Sequence, residues 1–183
     1  MSILRKKSFS QYDLAQALSA VGITELQRWH LEAFDTARSE GAKLLLVDAF
    51  LEEAIQPYIQ LRIFKEATLR AQTASGIVDY LVARRTAVPQ VPLVCVAEAK
   101  KDNFDEGLAQ CLVEMQAASE ANTAVGHIIS VFGIVTNGTG WQLYRRDPEG
   151  TVYETVLYTS GNPSQLLGAL DTIFAQCEQN LVS

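Results

Sequence analysis

No apolar run in this chain approaches the ~20 residues that carry a helix across a bilayer. The N-terminus, with Arg5, Lys6 and Lys7, lacks the apolar stretch of a secretory leader. Both absences lead to the expectation of a cytoplasmic protein without a membrane span. Cysteine is scarce: Cys95, Cys111 and Cys177 are far apart, odd in number and set in apolar segments. They read as reduced core residues rather than a disulfide framework. Only His30 and His127 accompany them, so the sequence shows no zinc site of the Cys/His kind. There is no Walker motif and no dinucleotide fingerprint; Asn137-Gly138 reads as a turn, not a phosphate loop.

Positive charge is also in short supply. Fifteen Lys and Arg face 21 Asp and Glu, a formal net charge of −6. Dedicated nucleic-acid binders are usually basic, so the balance argues against such a partner. A local basic face is still compatible with it, drawn from Arg5-Lys6-Lys7, Arg84-Arg85, Lys100-Lys101 or Arg145-Arg146. A bound metal ion would also cancel carboxylates at a site.

What is present is an ordinary globular composition, 48% apolar and 20% charged, which excludes a disordered or fibrous chain. The length suits one domain, 1–183, without repeats or an evident linker. Residues 8–56 read as helical. Ser10 caps a first helix with Leu14, Leu18 and Val21, ended by Gly22, and a second begins at Thr24. A third, from about Ser39, carries Leu44, Val47, Leu51 and Ile55 up to Pro57. Strands are expected over Tyr58–Thr68, Gly76–Ala83 and Val91–Ala99. A helix capped by Asp102 or Asn103 follows, with Phe104, Leu108, Cys111, Leu112 and Met115 on one stripe. His127–Thr136 and Trp141–Arg146 flank the turn Asn137–Gly140. A second turn, Asp147–Gly150, leads to a strand over Thr151–Thr159. Asn162-Pro163 opens a last helix with Leu166, Leu167, Leu170, Ile173, Phe174 and Cys177 inward. Trp141, Tyr144, Tyr153 and Tyr158 read as sheet packing. The fold class is α/β, a mixed central sheet flanked by helices.

The chemistry-bearing stretch is Gly76-Ile-Val-Asp79-Tyr followed by Val94-Cys-Val-Ala-Glu98-Ala-Lys100. Alternation places Val94, Val96, Glu98 and Lys100 on one face, and Leu93, Cys95, Ala97 and Ala99 on the other. A strand apolar on both faces until it ends in Glu-Ala-Lys is a central strand delivering charge at its edge. If the two strands pair about a centre between Val88 and Pro89, Asp79 faces Glu98. Like charges so opposed repel, and a divalent cation removes the cost. Oxygen ligands suit Mg²⁺ or Mn²⁺. Lys100 is placed to orient the attacking water or to neutralise charge on a phosphate.

Asp79 followed by Glu98-Ala99-Lys100 resembles the Asp…Glu-x-Lys signature of the PD-(D/E)XK, or restriction-endonuclease-like, nuclease superfamily, with Val78 where the signature has proline. Gly107-Leu-Ala-Gln110-Cys-Leu-Val resembles that superfamily's glutamine-bearing helix, without the tyrosine of its RecB-like members. Ser39-Glu40-Gly-Ala-Lys43 resembles the helix that carries an additional acid, best matched by Glu40, with Glu52 and Glu53 as competitors. The likeness spans residues 39–136, with 137–183 adding C-terminal strands and a helix. It implies a restriction-endonuclease-like fold and metal-dependent hydrolysis of nucleic acid, DNA ahead of RNA, as an endonuclease or exonuclease. Asp79 and Glu98 would bind Mg²⁺ or Mn²⁺, with Lys100, Gln110 and Glu40 completing the catalytic set. A homodimer, or a partner subunit supplying target recognition, fits a chain of this size. The alternatives are a non-catalytic binding or assembly module on the same fold, favoured by the acidic balance, and an enzyme acting on a phosphate that is not nucleic acid.

Overall fold

A computed structural model of the chain describes residues 7–8, 40–100 and 104–182, with the side chains of 7–8 and 40–42 left aside. The helices expected from Ser10 and Thr24, and the cap expected at Asp102 or Asn103, lie outside these residues. The elements run β1 (Lys7–Ser8), α1 (Glu40–Ile55), β2 (Leu61–Arg70), β3 (Ser75–Arg84), β4 (Leu93–Ala99), α2 (Phe104–Ala124), β5 (Val131–Thr136), β6 (Gly140–Arg146), β7 (Val152–Glu154), β8 (Tyr158–Thr159) and α3 (Pro163–Asn180). The expected α/β class is present: a mixed sheet ordered β1-β7-β6-β5-β4-β3-β2, with β8 also on β6. Among the described residues no helix is long and apolar enough to cross a membrane.

Strands β2, β3 and β4 form an antiparallel meander, whereas β4 and β5 run parallel. Parallel neighbours need a long crossover, and α2 supplies it. The sheet divides the core in two. Helices α1 and α3 cover one face through Val47, Phe50, Leu51, Leu166, Leu170 and Phe174. Helix α2 covers the other through Cys111, Met115 and Ala118. Burying each large apolar side chain stabilises the fold by roughly 1.5–3 kcal/mol. The inward stripe expected of α3 is buried throughout, from Leu166 to Cys177. All three cysteines are buried and free.

Several expected boundaries move for local reasons. The first strand of the meander begins at Leu61, because Tyr58 and Leu61 are still engaged in turn hydrogen bonds after α1. Pro92 has no N–H for a ladder, and β4 begins after it at Leu93. Strand β5 is shorter than the expected segment from His127, since His127 N–H bonds back to Asn122 at the end of α2. The strand expected over Thr151–Thr159 is two strands, β7 and β8. Leu44 is exposed at the start of α1 rather than part of the core.

The expected alternation of β4 is broken by a bulge. Val82 pairs with Cys95 but Ala83 pairs with Leu93, leaving Val94 as the extra residue. Val94 and Cys95 therefore both face the α1–α3 layer, while Leu93 and Val96 face α2. Val94 does not share a face with Val96 and Glu98, as simple alternation had it. Asn122 closes the start of the strand, its amide accepting from Leu93 N–H and donating to Leu93 C=O, each at 2.7 Å.

Candidate functional site

The meander switches faces at one step. On β3, Tyr80 faces the α1 layer and Val78 faces α2, although residues two apart ordinarily share a face. Ala67 on β2 likewise joins the α2 layer. Between the flanking pairs Lys65–Tyr80 and Ala67–Val78 stand Glu66 and Asp79. Glu66 has a φ of +50°, a left-handed conformation costly for a residue with a Cβ. The switch turns Asp79 out of the regular pleat at the end of the β3–β4 ladder.

Beyond the last pairs, Leu81–Val96 and Tyr80–Ala97, the next step of the same register sets Asp79 against Glu98. There the side chains replace the ladder. Ala99 N–H donates to Asp79 Oδ2 at 2.9 Å, and Asp79 N–H donates to Glu98 Oε1 at 3.4 Å. The two residues thus stand opposite each other across the strands, as the spacing of the sequence had it, each carboxylate accepting from a backbone N–H. Lys100 Nζ lies 3.3 Å from Glu98 Oε2, an ion-pair distance without hydrogen-bond alignment, so Oε2 has no hydrogen-bond partner.

Asp79, Ala99 and Lys100 open into a cleft of about 260 Å³, also lined by Lys43, Leu44 and Val47 of α1, Lys65, Glu66 and Tyr80 of the meander, and Asn137-Gly138 of the β5–β6 turn. The turn is the expected hairpin: Asn137 Oδ1 accepts from Gly140 N–H at 2.7 Å, and Gly138 takes a φ of +83°. Glu98 stands behind the cleft with 0% exposure, between the strand and α2.

The other expected site residues fare differently. Gln110 lines a separate, largely apolar cavity between β3 and α2, and donates to Glu114 Oε1 at 3.0 Å. It reaches Glu98 only through Glu114. Glu40 is the first residue of α1, one turn before Lys43, and its side chain is outside the described residues. Glu52 and Glu53, also on α1, do not line the cleft. Trp141, Tyr144 and Tyr158 are buried sheet packing, as expected.

Three participants were not anticipated. Glu114, 8% exposed, lies against Glu98 on the buried side of α2. Burial, then the hydrogen bond and charge of Glu98, push its carboxyl up to about 8. Burial likewise raises Glu98. With both ionised, Glu98 Oε2 and Glu114 Oε2 would each lack a donor; one proton between them supplies it. The sequence signal was present, since a glutamate four residues after Gln110 falls beside Cys111 and Met115 on the inward side of α2. Asp48 of α1 accepts from Lys65 Nζ at 2.8 Å and from the Tyr80 hydroxyl at 2.9 Å. Burial and that acceptor push the Tyr80 hydroxyl far above its ordinary range, so it remains a donor. Lys65 is the third, a cation fixed on the cleft wall.

No protein-family model matches the chain, and no curated protein matches its sequence.

Among the described residues no three Asp, Glu, His or Cys side chains gather to hold a metal ion. Asp79 and Glu98 are a pair of hard oxygen donors, Asp79 at the cleft and Glu98 buried behind it. That suits Mg²⁺, which takes one or two carboxylates and fills its shell with water and substrate phosphate.

Proposed function

We propose that this chain is a metal-dependent nuclease of the restriction-endonuclease-like kind, hydrolysing phosphodiester bonds in nucleic acid, with DNA the first substrate to test. The observation that carries this reading is the juxtaposition of Asp79 and Glu98 at the splayed end of β3 and β4, with Lys100 bridging Glu98 to the cleft. Two acids set opposite each other at a strand end repel unless a cation or a proton separates them.

Asp79 and Glu98 are the residues that would hold Mg²⁺ or Mn²⁺. Bound there, the ion would offset the negative charge building on the phosphate and would acidify water. Lys100 remains 28% exposed at the cleft, so its ammonium reaches substrate while Glu98 anchors it. It orients the attacking water or donates to a non-bridging phosphate oxygen. Tyr80, held protonated by Asp48, stiffens the wall beneath. Glu114 and Gln110 act on Glu98 from the α2 side, as positioning residues.

A second reading has its own support: a non-catalytic nuclease-like binding or assembly module. Asp79 and Glu98 each already accept a backbone N–H, and Glu98 is wholly buried. Carboxylates used in that way splice two strands without any reaction. One experiment separates the readings. Mg²⁺ and Mn²⁺ binding is measured by calorimetry on the wild type, Asp79→Ala and Glu98→Ala, alongside cleavage of single- and double-stranded DNA and RNA. Binding lost in both variants together with their cleavage supports the nuclease. A folded wild type that cleaves none of these substrates with either ion overturns it.

A further inference from the structure

The chain carries an excess of acid, 21 Asp and Glu to 15 Lys and Arg, and at the cleft Lys65 and Lys100 are already paired, with Asp48 and Glu98. Three lysines, Lys43, Lys65 and Lys100, line it against two carboxylates, Asp79 and Glu66. They come from three different elements, α1, β2 and the end of β4, so no run of sequence brings them together.

Lys43 on α1 and Lys65 on β2 line the cleft that Lys100 enters from the end of β4. Lys43 is half-buried and has no hydrogen bond or ion pair among the described residues. Its stem is packed by the β5–β6 turn, where a Cβ on Gly138 would come 3.1 Å from the Lys43 Cβ. Lysine in the first turn of a helix also opposes the helix dipole, so its position gains nothing from α1 itself. Lys65 is held in place by both Asp48 oxygens, at 2.8 and 2.9 Å, and lies over the Tyr80 ring at 5.2 Å. An ammonium so fixed loses little further freedom when an anion arrives.

We propose that Lys43 and Lys65 form a second phosphate-holding wall, so that the substrate is a polyanionic strand gripped by more than one phosphate, not a lone small phosphodiester. Lys100 serves the phosphate under attack, and Lys43 and Lys65 hold a neighbouring one. Asp48 sets the grip of Lys65 by competing with phosphate for its protons. The inference rests on the nuclease reading and narrows its substrate to an oligomer.

The test is binding of a short fluorescent single-stranded oligodeoxynucleotide in EDTA, where no divalent ion supports cleavage, across a series of salt concentrations. The proteins are the wild type, Lys43→Ala, Lys65→Ala, the double variant, Lys43→Arg and Asp48→Asn, each checked for fold by circular dichroism. Each lysine removed should flatten the plot of log affinity against log salt by about 0.7, the single-strand value per phosphate contact. Lys43→Arg should keep the slope, and Asp48→Asn should tighten binding. A double variant with the wild-type slope overturns the second wall while leaving the nuclease reading intact if cleavage persists. A wild type that cleaves only bis(p-nitrophenyl) phosphate and binds no oligonucleotide also overturns it. Absence of hydrolysis on every substrate, with salt-sensitive binding lost in the double variant, fails the nuclease reading alone and upholds the wall.

Discussion

Glu114 lies against Glu98 between α2 and β4, two buried carboxyls with hydrogen-bonding needs that a single proton meets. This sets the sign of a pH effect. Glu114 in the folded protein holds its proton up to about 8, whereas the ordinary value is 4.5. Between those limits the folded state keeps a proton that the unfolded chain gives up. Its contribution to stability is therefore full below about 4.5 and declines as pH rises toward and through about 8. Urea midpoints for the wild type should fall across this window, by at most ~1.4 kcal/mol per pH unit per proton. Glu114→Gln, neutral and of similar shape, should flatten that part of the curve. A wild-type curve already flat there would remove the shared proton.

Gly107 makes room for Lys100. A Cβ at this position of α2 would come 2.9 Å from Lys100 Cγ and 3.1 Å from Val135 Cγ1. Gly107→Ala should raise helix propensity by about 1 kcal/mol, offset by the crowding, so thermal stability stays near wild type. Lys100, however, must shift. Cleavage should drop by about tenfold or more, equivalent to ~1.4 kcal/mol at the transition state, with Mg²⁺ affinity nearly unchanged. Steady-state kinetics and calorimetry on the same preparation check the split. Full activity in the alanine variant would show that the Lys100 position is not critical.

Glu66 occupies left-handed space beside Asp79. Glycine tolerates that conformation and a β-branched residue does not. Glu66→Gly should therefore match or exceed the wild type in denaturant stability, while Glu66→Val falls below it. If both variants lose equally, the side-chain contacts of Glu66 matter more than its backbone.

Much of this architecture is legible in local patterns. Alternation exposes the strands, the 3.6-residue stripe from Leu166 to Cys177 marks α3, and Asn137-Gly138 marks the hairpin. Asp79, Glu98 and Lys100 stand out because charge is conspicuous at the end of an apolar strand. Glu114 is harder to read, since a glutamate on a helix is usually solvated and only the packing of α2 on β4 makes it buried. Lys43 and Lys65 were not legible as a pair: they lie on α1 and β2 and meet only at the cleft.

The sequence by itself determined the α/β class, the succession of most described elements and the spacing that opposes Asp79 to Glu98, because these follow from side-chain periodicity and turn chemistry along the chain. Only the tertiary structure decided which face each residue takes near the site. The bulge at Val94 and the switch at Glu66 and Asp79 depend on how one strand sits against the next and on the helices covering each face, and a pattern of apolar and polar letters carries no record of either.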